Sequence, residues 1–86
     1  MNEKLMTIVL ESLAFFELAG NELVDPDAAT EQTEGAVRTL GQLSPDEKKE
    51  FADFARKYAD DEAARKGEPE RVEFFRSVPQ NFELEG

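Results

Sequence analysis

The 86 residues contain no His, no Cys and no Trp, and 20 Asp and Glu stand against 10 Lys and Arg, for a net charge of −10. These absences exclude disulfides, thiolate nucleophiles, imidazole proton shuttles and the usual transition-metal ligands. A chain this short buries only about 60–65% of the surface its unfolded form exposes, so a single domain, 1–86, with a small core is expected. No run approaches the roughly 20 consecutive apolar residues of a membrane span. Glu3, Thr7, Glu11 and Glu17 interrupt the apolar opening, so no secretory peptide is read there, and a cytoplasmic protein of bacterial type is expected.

No period-two alternation and no Asn-Gly or Asp-Gly hairpin appears, and apolar residues recur at helical spacing, which predicts an all-α bundle of three long helices, a short C-terminal helix and a folded-back tail. The first helix is expected over 3–24. Leu5, Val9, Phe16, Ala19 and Leu23 step by three and four, and Met6, Ile8, Leu10, Leu13 and Phe15 widen the stripe past half the circumference. A face so broad needs more than one neighbour, within the bundle or in another subunit.

Asp25-Pro26 ends one helix and starts the next, because Asp caps and Pro at the first helical position gives up an amide that would be orphaned anyway. The second helix, 26–42, has a thin apolar set of Ala29, Ala36, Val37, Leu40 and Leu43, and is weakened by Gly35. Ser44-Pro45-Asp46-Glu47 reads as a capping box opening a third helix over 45–66, with Phe51, Phe54, Ala55 and Tyr58 inward and Gly67 as a left-handed cap. Pro69 opens the fourth, over 69–77, with Val72 and Phe75 inward, and Pro79 is expected to stop it. Phe82 and Leu84 predict that the tail, 79–86, folds back over the bundle.

Chemistry-bearing patterns are sparse. Asp60-Asp61-Glu62 places three carboxylates about 100° apart on a helix, the pattern of a solvated face rather than a cation site. The glycines are too dispersed for either nucleotide fingerprint. Ser12, Ser44 and Ser77 have no histidine to activate them, so no enzyme, cofactor or metal is expected.

Charge is the remaining signal. Residues 1–37 hold eight acids against Lys4 alone, a net of −7, while the other 49 residues hold twelve acids and nine bases. Nucleic acid and anionic membrane would be repelled, and a basic protein is the natural complement. Glu11, Glu22, Asp25, Asp27, Glu31 and Glu34, with Leu18 as an apolar anchor, are the expected partner-binding residues. An immunity protein, an antitoxin and an acidic inhibitor are concrete forms of such a module. Adjacent helical residues diverge by about 100°, so the doublets Phe15-Phe16 and Phe74-Phe75 each have one member left for a wider core or for an interface. Phe15 and Phe74 are the candidates for contact with a second copy, in an alternative reading where the chain is a homodimeric structural domain and its acidity serves only solubility.

Overall fold

The computed structural model describes residues 1–19 and 23–84. They form four α-helices and no strand: α1 Glu3–Leu18, α2 Pro26–Leu40, α3 Pro45–Ala64 and α4 Pro69–Asn81. No helix among the described residues is long and apolar enough to cross a membrane. Three of the four begin on side-chain caps. Asn2 accepts from the Lys4 and Leu5 amides, Asp25 accepts from Ala28, and Ser44 and Glu47 close the reciprocal capping box.

The largest contact is between α3 and α4, α1 lies across both, and α2 rests mainly on α1. Phe51, Ala52, Ala55 and Ala59 of α3 meet Phe75, Val78 and Pro79 of α4, and Met6, Leu10, Leu13 and Ala14 of α1 close the core. Only Leu40 of α2 is buried. Its other core-side residues, Ala36 and Val37, are partly covered, so α2 is an outrigger whose outer face is free.

The helix ends differ from the sequence expectation in instructive ways. α1 stops at Leu18 rather than residue 24, where Ala19 turns extended with its N–H still bonded to the Phe15 carbonyl. Gly20 and Asn21 are weak helix formers and follow at once. The second and third helices end two residues earlier than expected, at Leu40 and Ala64.

Pro79 does not stop α4, which continues to Asn81. Its ring is buried in the core, and the Phe82 N–H keeps the helix pattern by bonding the Val78 carbonyl at 3.0 Å, while the Leu84 N–H bonds the Pro79 carbonyl at 2.9 Å beyond the helix end. One missing amide bond is outweighed by burial at this position. The tail does fold back, since Phe82 and Leu84 are both core residues.

The left-handed residue after α3 is Lys66, with φ 58°, and not Gly67. The Gly67 N–H bonds the Glu62 carbonyl at 2.8 Å and the Lys66 N–H bonds the Ala63 carbonyl at 3.0 Å, a Schellman closure. The end of α4 repeats it, with Glu83 at φ 56° and Leu84 tucked into the core. Glycine at 67 answers a steric need instead: a Cβ there would lie 1.7 Å from Glu62 Oε2.

The buried stripe of α1 also differs from the expected one. Met6, Leu10, Leu13 and Ala14 face inward, whereas Leu5, Ile8 and Phe15 are exposed, as is Leu23 beyond the helix. Two apolar stripes therefore run along opposite sides of one helix. The sequence pattern merges them because together they cover more than half its circumference.

Candidate interaction surfaces

Polar side chains at the meeting of α1, α3 and α4 converge on Arg71. Its Nε donates to Glu62 Oε1 at 2.7 Å and its Nη2 donates to Glu11 Oε2 at 2.7 Å, while the Tyr58 hydroxyl donates a short hydrogen bond to the same Glu11 oxygen. The guanidinium also lies 5.1 Å from the centroid of the Phe75 ring. The Arg71 bond holds the Glu11 carboxyl below its usual pKa. Burial, reinforced by the Glu11 charge, pushes the Tyr58 hydroxyl up to about 12.

This cluster ties three helices together, and it corrects two expectations. Glu62, expected on a solvated face, is only 8% exposed and is satisfied by Arg71. Glu11, expected on the docking strip, is instead bound within the bundle, since it projects from α1 toward α3 and α4 rather than toward α2. Among the described residues no group of three carboxylates is placed to hold a metal ion.

The remaining expected site residues divide as follows. Asp25 is exposed and caps α2, so its carboxylate is partly committed to the Ala28 N–H. Glu22 lies outside the described residues. Asp27, Glu31 and Glu34 recur at spacings of four and three along α2, all exposed, on the side opposite Ala29, Ala36 and Leu40. Glu17, part of the charge of residues 1–37 but not one of the expected site residues, neighbours Glu34 alone: both line a shallow cleft of 160 Å³ between α1 and α2 with Phe16, Ala29, Thr30 and Thr33. Its membership depends on α1 and α2 running antiparallel, which spacing within either helix does not reveal.

No described base forms an ion pair with Asp27, Glu31, Glu34 or Glu17. Arg38, one turn past Glu34, is exposed on the same face. Elsewhere some acids are paired, Glu50 with the N-terminal amine, Asp53 with Lys49 and Arg56, Asp60 with Arg76, and Glu62 and Glu11 with Arg71, while Glu3, Asp46, Asp61, Glu68, Glu70, Glu73 and Glu83 form no ion pair with a described base. No family model, curated protein or solved structure matches this chain.

The candidate surface has two distinct parts. The first is the acidic outer side of α2 with Glu17. The second is apolar. Leu18 is 37% exposed and shares an open groove with Phe15 and Leu23, bordered by Glu68, Glu70 and Arg71. Phe15 is more than half exposed and packs edge-on against Phe16 at 5.8 Å, whereas Phe74 is half-buried, packed on the core and edge-on to Phe75 at 5.7 Å. The structure does not bring the two doublets' candidates together.

Proposed function

We propose that this chain is a protein-binding module, not an enzyme, that docks a basic protein partner on the outer face of α2 and thereby covers or regulates it. The observation that carries the reading is the alignment of Asp27, Glu31 and Glu34 on one exposed helix face, with Glu17 next to Glu34 and no described base paired to any of them. Carboxylates held on a rigid helix steer a cationic surface into encounter and accept bidentate bonds from arginine. Occlusion of a cationic functional surface needs no chemistry from this chain, which suits an immunity protein, an antitoxin or an acidic inhibitor.

The reading is tested by paired affinity capture from a lysate of the source cells, at low and at high salt. The baits are the wild-type chain and a Asp27→Asn, Glu31→Gln, Glu34→Gln variant, and the bound proteins are identified by mass spectrometry. A basic protein captured by the wild type at low salt, released at high salt and missed by the variant supports the proposal. Identical captures by both baits contradict it.

A further inference from the structure

Leu18 does not share a surface with the acids of α2. Val9 and Phe16 mark the side of α1 that faces α2, and Leu18 lies two residues on from Phe16, about 200° around the helix. On that side the end of α1 and the first turn of α4 line an open groove of about 520 Å³. Phe15, Leu18 and Leu23 form its apolar wall and are 52%, 37% and 75% exposed. Large apolar side chains gathered at one groove and left open to water mark a place where another molecule is received.

The charges of the rim select the occupant. Glu68 and Glu70 line the groove from the start of α4, both exposed and neither in an ion pair with a described base. Glu68 stands at the N-cap of α4 yet makes no side-chain cap bond, so its carboxylate is not engaged by the helix. Arg71, the one base among the described lining residues, is held by Glu11 and Glu62. Glu11, Glu68 and Glu70 against Arg71 leave the lining with two negative charges in excess. Nucleic acid and anionic membrane are repelled from such a rim. A second copy, also of net charge −10, is disfavoured for the same reason.

We infer that this groove receives a segment of another protein in which large apolar side chains are flanked by Lys or Arg. The apolar side chains seat against Phe15, Leu18 and Leu23, and the cationic side chains reach Glu68 and Glu70. Anchors of this kind in a groove supply affinity, and carboxylates at its edge orient the segment and turn away anionic competitors. The groove and the acidic face of α2 lie on different sides of α1, so the inference does not rest on the α2 contact and either can fail alone. Salt weakens the rim contacts of the groove by screening but leaves its apolar contacts in place.

The test is a selection of random linear peptides displayed on phage against the full chain carrying Asp27→Asn, Glu31→Gln and Glu34→Gln, a host whose α2 face is neutralised. The selected peptides are expected to combine aromatic or aliphatic residues with Lys or Arg. Added to isotope-labelled host, one such synthetic peptide is expected to shift the amide resonances of Phe15, Leu18, Glu68 and Glu70. By isothermal titration its affinity is expected to fall about 10-fold or more on Leu18→Gln and, at low salt, about 3-fold or more on Glu68→Gln with Glu70→Gln. Circular dichroism confirms that each variant is helical, and should Leu18→Gln lose helicity, Phe15→Gln replaces it at another exposed position. No enrichment, enriched peptides without an excess of Lys and Arg, or affinities that these substitutions leave unchanged overturn the inference. So does a peptide whose shifts fall elsewhere on the chain.

Discussion

Tyr58 is the only tyrosine in the chain, so its ionisation is a direct reading of the cluster where α1, α3 and α4 meet. With its hydroxyl donating to Glu11 and partly withdrawn from water, it should titrate near 12 in the near-ultraviolet absorbance of tyrosinate. Glu11→Gln should bring that value back toward 10, and an unshifted titration would mean that the contact is not formed. The same pair fixes the pH dependence of stability. The hydroxyl holds its proton more tightly folded than unfolded, so its contribution is whole below about pH 10 and drains away as the pH rises toward 12. Glu11 runs the other way: its folded value lies below the ordinary 4.5, so its contribution is present above that pH and lost as the medium becomes more acidic. Urea midpoints measured across the pH range should be flat between these limits and fall outside them. None of this was legible in the sequence, because Glu11, Tyr58, Glu62 and Arg71 are separated by up to 60 residues.

At the scale of the elements, starts were far more legible than ends. Asn2 caps α1, and Asp25-Pro26 and Ser44-Pro45 cap α2 and α3, through contacts within a few residues, which is why a sequence can announce them. Ends depend on what the following residues bury: Pro79 stays helical with its ring in the core, and the left-handed residue after α3 is Lys66, while Gly67 leaves room for the Glu62 side chain. Two substitutions check this account. Gly67→Ala must drive Glu62 away from Arg71 and should cost about 1–2 kcal/mol in chemical denaturation, and most of that cost should vanish in a Glu62→Ala background. Gly35→Ala, in the middle of α2 with only Arg38 Nη2 within 4 Å of the new methyl, should instead stabilise by about 0.5–1 kcal/mol. The two stripes of α1 were the main loss in translation: hydrophobic spacing shows that a helix is apolar on two sides but not which side its neighbours choose.

For the molecule as a whole, charge and packing are arranged in parallel. The tightly packed pair α3 and α4 neutralises some of its acids, with Lys49, Arg56, Arg71 and Arg76 each placed against a carboxylate. The lightly packed α2 leaves its acids unanswered and turned outward. The uneven charge of the two parts of the sequence thus becomes a difference between faces, and steering by such a face acts mainly on the rate of encounter. The most direct test is therefore kinetic: association of the captured basic partner with wild-type chain and with the Asp27→Asn, Glu31→Gln, Glu34→Gln variant, measured over increasing ionic strength. An association rate that falls about 10-fold or more on neutralising α2, and that loses much of its salt dependence in the variant, is the predicted result. Equal rates for the two chains, with equal sensitivity to salt, would contradict it.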